Sequence, residues 1–160
     1  MPAELLEGDL LNCSSKYIIH QCNCVSRGSA GLAYQLFNKF QYANIYIQRV
    51  GPSIPGKIYV AGNGNNERFI INAMSQFLPG GPSDYYLIGG LYDDSIGRIE
   101  LFKKCLNQVS NISELDSISF PWKYGCGIAG GDWEIYRNII DNFSDSINAK
   151  VSIIKRPEDD

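Results

Sequence analysis

Histidine occurs once in this 160-residue chain, and positive charge is in short supply: 14 lysines and arginines stand against 17 aspartates and glutamates, a formal net charge of −3. Non-specific binding to nucleic acid needs a basic footprint, which this balance excludes. A nucleotide ligand stays open, because neutral backbone donors can hold a phosphate while the outer surface is acidic. No apolar run approaches the roughly 20 residues of a membrane-spanning helix, so no membrane partner is expected. The opening Met-Pro-Ala-Glu-Leu-Leu-Glu has neither the basic nor the apolar region of a signal peptide. Cysteines fall at 13, 22, 24, 105 and 126, an odd number. Without a secretory signature they read as reduced thiols of an intracellular protein, cytoplasmic or nuclear. No Ser- or Pro-rich linker and no internal repeat divides the chain. Its length suits one domain over 1–160, burying roughly two thirds of its unfolded surface, with a short acidic tail, Pro157-Glu158-Asp159-Asp160.

Hydrophobic periodicity supplies the elements. A first strand is predicted within 5–11, and a buried β-branched strand over 16–21. Apolar residues at 32, 33, 36, 37 and 40 have helical spacing, and a second helix is predicted over 43–50, stopped by Gly51-Pro52. Strands at 57–61 and 68–73 flank the turn-forming Gly62-Asn63-Gly64-Asn65-Asn66, which predicts an antiparallel hairpin. Residues 79–84 read as a loop. A helix over 96–109 is capped by Asp94 or Ser95, a strand covers 116–121, a helix 133–143 and a last strand 150–155. This alternation predicts an α/β fold of three layers, α/β/α, around a mixed, mainly parallel sheet.

Two glycine-rich loops carry the functional signal. Gly125-Cys126-Gly127-Ile128-Ala129-Gly130-Gly131-Asp132-Trp133 lies between a strand and a helix, and so does Gly28-Ser29-Ala30-Gly31. Glycine lets backbone approach a ligand closely, and the helix N-terminus that follows adds partial positive charge. Ligand sites of open α/β sheets lie beyond the carboxyl ends of strands, where both loops fall. Two such loops suit a diphosphate held between them.

Several side chains beside the loops have two readings. His20 can act as a general acid or base, or be a partly buried histidine hydrogen-bonded to a carbonyl. His20, Cys22 and Cys24 alternate, so an extended chain puts them on one face. With Cys126 they resemble a metal set, but the one-residue spacing does not suit zinc, and inert thiols are the default. Asn23 can meet a ribose or form an Asx turn. Asp9 can accept an adenine amine or cap a turn, and Asp132 can orient water or cap the last helix. Arg27 and Lys123 flank the loops and can add charge there, though flanking cations are usually solvated.

Taken together, Gly8-Asp9-Leu10, Ile18-Ile19-His20-Gln21-Cys22-Asn23-Cys24, Gly28 through Leu36 and Gly125 through Trp133 resemble a macro domain, over about residues 4–155. The similarity is greatest to the compact branch of ADP-ribose 1''-phosphate phosphatases and ADP-ribosyl hydrolases. What it implies is ADP-ribose as ligand, with no cofactor and no metal. By the resemblance Asp9 takes the adenine amine, Leu10 makes a backbone contact and Asn23 meets the distal ribose. Residues Gly28, Ser29, Ala30, Gly31, Leu32 and Ala33 close on the diphosphate from one side. Tyr124, Gly125, Cys126, Gly127, Ile128, Ala129 and Gly130 close on it from the other. His20 and Asp132 match catalytic positions. The activity implied is removal of the terminal phosphate of ADP-ribose 1''-phosphate, or release of ADP-ribose from a modified protein or nucleic-acid group. The alternative is a reader that binds ADP-ribose without turnover. Two features depart from the family pattern. Only Asn23 stands where Asn-x-x-Asn is common, and no lysine matches the nucleophile of some relatives.

Overall fold

The computed structural model describes all 160 residues. Six strands, β1 (Glu4–Glu7), β2 (Tyr17–Gln21), β3 (Ile58–Ala61), β4 (Phe69–Ala73), β5 (Ser117–Pro121) and β6 (Lys150–Lys155), form one sheet in the order β1-β6-β5-β2-β4-β3. All neighbours are parallel except β3, which runs antiparallel to β4. The neighbouring interior strands β2 and β4 read Tyr-Ile-Ile-His-Gln and Phe-Ile-Ile-Asn-Ala, near-continuous apolar runs of the kind that parallel strands covered on both faces require. Their register pairs Ile18 with Ile70 and Ile19 with Ile71. Side chains alternate, so each strand feeds both cores at once.

On one face α1 (Gly31–Lys39) and α2 (Ile45–Gln48) bring Leu36, Phe37 and Tyr46 onto Ile18, Ile70 and Met74. On the other, α3 (Ser95–Val109) and α4 (Trp133–Ser146) bring Phe102, Tyr136, Ile140 and Phe143 onto Ile19, Ile71, Ile118 and Ile153. In α4 the buried positions 136, 140 and 143 fall four and three apart, a single stripe facing the sheet. The result is the expected three-layer α/β/α architecture with a mixed, mainly parallel sheet. No helix is long and apolar enough to cross a membrane, and all five cysteines are free thiols.

Three segments differ from expectation, each for a local reason. The strand predicted within 5–11 ends at Glu7, because the Asp9 carboxylate accepts the Leu11 N–H and caps a 3-10 turn over Leu10–Asn12. The helix predicted over 43–50 shrinks to the four residues of α2. Asn44 caps it by accepting from Tyr46 and Ile47, and Arg49 turns extended to place its guanidinium on the Asn23 carbonyl and Ser53. Residues 85–93, for which the sequence predicts no element, form a small bridge between Tyr86 and Tyr92.

The sheet order positions the site. β5 and β2 are neighbours, yet the chain leaves β2 for α1 on one face and leaves β5 for α4 on the other. A crevice therefore opens at the carboxyl ends of these two strands, between the two glycine loops.

Candidate functional site

That crevice is a cleft of about 540 Å³. Gly28, Ala30, Gly31, Leu32 and Ala33 line it on the α1 side. Tyr124, Gly125, Gly127, Ile128 and Ala129 line it on the α4 side. His20, Gln21 and Asn23 come from the end of β2, and Gln76, Pro79 and Gly80 from the segment after β4. A second cavity of about 430 Å³ adjoins it and shares Leu32, Pro121, Trp122 and Lys123. The two make one groove with room for a ligand of several parts.

Glycine at 125 is required by its surroundings. Its φ is 71°, and a Cβ there would stand 3.0 Å from the Tyr136 ring and 3.1 Å from Gln21 Oε1. The loop is drawn in further where Gly131 N–H donates to the Gly125 carbonyl at 3.0 Å; a Cβ on Gly131 would lie 2.6 Å from that oxygen.

Beneath the loop runs a polar network that sequence reasoning missed. Ser75 Oγ donates to Gln21 Oε1 at 2.7 Å and lies 2.8 Å from Tyr124 Oη. Gln21 Nε2 donates to Gln76 Oε1, and Gln76 Nε2 donates to the Leu78 carbonyl at 2.8 Å. These bonds tie β2, the turn after β4 and the glycine loop together. None of the residues is ionisable except Tyr124, whose hydroxyl burial holds far above its usual pKa. The network orients amides without adding charge.

A buried ion pair, also missed, frames the same loop. Asp93 is 0% exposed and Arg98 2%. Arg98 Nε donates to Asp93 Oδ1 at 3.1 Å and Nη2 to Oδ2 at 3.0 Å. The remaining guanidinium donors go to the carbonyls of Gly80 (2.8 Å), Leu78 (3.2 Å) and Ala129 (3.3 Å). Asp93 in turn accepts the Phe77 and Leu78 N–H groups at 2.8 and 2.9 Å. All five guanidinium N–H groups thus have acceptors. The adjacency Asp93-Asp94 concealed the division of labour: Asp94 caps α3 while Asp93 turns inward.

His20 reaches the cleft from within the core. It is 1% exposed, lies edge-on to Phe37 at 5.3 Å, and its Nε2 is 2.6 Å from Asn72 Oδ1. Asn72 gives its amide N–H to the Ala43 carbonyl, so its oxygen faces His20 and Nε2 is the protonated nitrogen. Burial lowers the His20 pKa to about 4, against which the Asn72 bond acts weakly. At neutral pH the ring is uncharged and a poor proton acceptor. Asn23 forms the Asx turn: Oδ1 accepts from Val25 and Ser26 at 3.1 and 2.8 Å, and Nδ2 donates to Tyr46 Oη at 3.3 Å.

The thiols do not converge. Cys22 Sγ is 3.5 Å from His20 Nε2, but Cys24 donates to the Gln76 carbonyl and Cys126 to that of Tyr124. Burial pushes the Cys22 pKa far up and that of Cys24 to about 12, so neither is a thiolate nucleophile at neutral pH.

Other predicted site residues stand apart from the cleft lining. Asp132 accepts the Glu134 N–H at 3.0 Å as the N-cap of α4. Its N-cap position aims the carboxylate at the helix end, and Asp132 is not among the residues that line the cleft. Asp9 Oδ1 and Oδ2 are occupied by Leu11 N–H and Asn12 Nδ2, and Asp9 borders a separate 240 Å³ cavity. Leu10 lines the 430 Å³ cavity instead. Ser29, Cys126 and Gly130 belong to the two loops but are not among the residues that line the cleft. The Cys126 side chain packs against the α3–α4 core.

A fold of this order, with a cleft between two glycine loops at the carboxyl ends of neighbouring strands, defines an open α/β domain with its crevice at the switch point of the sheet. Solved structures place the chain more narrowly. It superposes on the macrodomain of Thermus aquaticus DarG with a TM-score of 0.73 and 21% identity, over 97% of this chain and 98% of that one. The macrodomain of Mycobacterium tuberculosis DarG gives 0.70 and 20%, over 95% and 97%. A Trypanosoma brucei macrodomain in complex with ADP-ribose gives 0.61 and 13%, over 95% of this chain and 61% of that one. The protein has the macrodomain fold. No protein-family model and no curated protein matches the sequence.

Two outcomes are expected. Arg98→Met leaves the buried Asp93 carboxylate without its countercharge and three loop carbonyls without donors, which costs about 3–5 kcal/mol in urea denaturation; Arg98→Lys gives an intermediate loss. The lowered His20 pKa makes stability pH-dependent in a defined direction. The unfolded histidine takes up a proton near pH 6.5, the folded one only near 4. Stability is complete above pH 6.5 and declines by up to about 3 kcal/mol as pH falls to 4. Urea midpoints of wild type should fall more steeply over that window than those of His20→Gln; parallel curves would contradict it.

Proposed function

We propose that this chain binds ADP-ribose in the groove. The observation that carries the proposal is the pairing of two glycine loops across the carboxyl ends of adjacent strands, with no carboxylate lining the 540 Å³ cleft between them. Backbone N–H groups in such loops suit a diphosphate, and an acid-free lining leaves its charge unopposed. The adjoining 430 Å³ cavity offers room for a base beside it. The T. brucei macrodomain of the same fold was solved with ADP-ribose.

Hydrolysis is the second reading: removal of the terminal phosphate of ADP-ribose 1''-phosphate, or release of ADP-ribose from a modified group. What favours it is His20, which lines the cleft with a neutral ring. What opposes it is the chemistry of the residues at hand. A base with a pKa near 4 accepts protons poorly at pH 7, and the Asp132 carboxylate serves a helix cap. Binding is therefore the conclusion, and turnover the addition to be tested.

Calorimetry with ADP-ribose should give one-site binding with a Kd in the micromolar range, as expected for four or five charge-assisted hydrogen bonds after association costs. Absence of heat and of competition would sink the proposal. Phosphate release from ADP-ribose 1''-phosphate separates the readings. If release occurs, His20→Ala should lower it while leaving ADP-ribose affinity within about threefold.

A further inference from the structure

Lys123 combines backbone strain with unmatched charge. Its φ of 57° lies in the left-handed region, which a side chain bearing a Cβ enters at a cost and glycine enters freely. Its carbonyl accepts the Cys126 N–H at 2.9 Å, closing the turn that opens the second glycine loop. Gly125, two residues on, meets the same backbone demand with a φ of 71°. A glycine at 123 would meet it too, so the backbone alone gives no reason for a lysine there.

The charge does. Of the 21 residues lining the main cleft, Lys123 is the single one with a formal charge at neutral pH. It is exposed, and none of the ion pairs in the protein includes it. It also lines the second cavity, where the other cation, Arg156, is held by Glu158 and Asp159. Lys123 therefore stands where the two cavities join, beside the loop whose donors are all neutral. Strain of this kind persists where the surroundings enforce it, and it collects at ligand sites.

We propose that Lys123 is the charged determinant of diphosphate recognition in this protein. Its ammonium neutralises the anion that the glycine loops orient, and the strained turn keeps it at the junction of the cavities. The assignment rests on the ADP-ribose reading only for the identity of the diphosphate; the chemistry is that of any ligand carrying one across this groove.

The test uses wild type, Lys123→Gly, Lys123→Met and Lys123→Arg in calorimetry with ADP-ribose and with inorganic pyrophosphate, at low and high salt. Lys123→Gly and Lys123→Met should lose about tenfold or more in affinity for both probes and most of the salt dependence. Lys123→Arg should keep affinity within a few-fold. Lys123→Gly should also melt above wild type, because it relieves the left-handed strain, so weaker binding in that variant is not a folding defect. Unchanged affinity in Lys123→Gly and Lys123→Met overturns the assignment. Wild type that binds pyrophosphate through Lys123 but ignores ADP-ribose keeps the assignment and ends the ADP-ribose reading. Wild type that binds neither ends both.

Discussion

The buried pair of Asp93 and Arg98 is the constraint on which the cleft depends. One carboxylate fixes the N–H groups of Phe77 and Leu78, and one guanidinium fixes the carbonyls of Leu78, Gly80 and Ala129. Two segments far apart in sequence, the loop after β4 and the glycine loop after β5, are thereby held at a set separation. An isolated buried ion pair is poor evidence for stability, since desolvation offsets much of its attraction. Here every guanidinium donor is used: two bonds hold the Asp93 carboxylate and three place backbone carbonyls. What the pair supplies is position.

The chemistry of the cleft follows from how its inner end is built. β2 contributes alternating residues to the two faces: His20 and Cys22 turn toward α1 and α2, while Gln21 turns toward Ser75 and Tyr124. Burial keeps the first group uncharged and the amides and hydroxyls satisfy each other in the second. The lining of the 540 Å³ cleft is consequently uncharged apart from Lys123. Such a surface holds an anion through oriented dipoles at little cost in desolvating fixed charges. It is less suited to moving protons, which is why binding outweighs turnover in the functional reading.

Strands β2 and β4 and the long helices were legible because of their apolar pattern: Ile18 with Ile19, Ile70 with Ile71, and the 136–140–143 stripe of α4. The glycine loops were legible because glycine is itself the signal. The misread segments are those where one side chain redirects the backbone. Asp9 converts the end of a strand into a capped turn, and Arg49 leaves a helix to bond the Asn23 carbonyl. The residues in and beneath the cleft that escaped notice, Gln21, Ser75, Gln76, Asp93 and Arg98, are polar residues of ordinary spacing brought together only by the parallel pairing of β2 with β4 and by the start of α3. Asp132 and Asn23 had two readings in the sequence; the structure displays the helix cap and the Asx turn.

The central claim is that two glycine loops, the second of them held by the Asp93–Arg98 pair, grip a diphosphate between them. Titration of isotopically labelled protein with ADP-ribose, followed through backbone amide resonances, tests it most directly. The account predicts that the largest shifts cluster in residues 28–33 and 124–130 and saturate together. Saturable binding that leaves both sets of amides unmoved would contradict it.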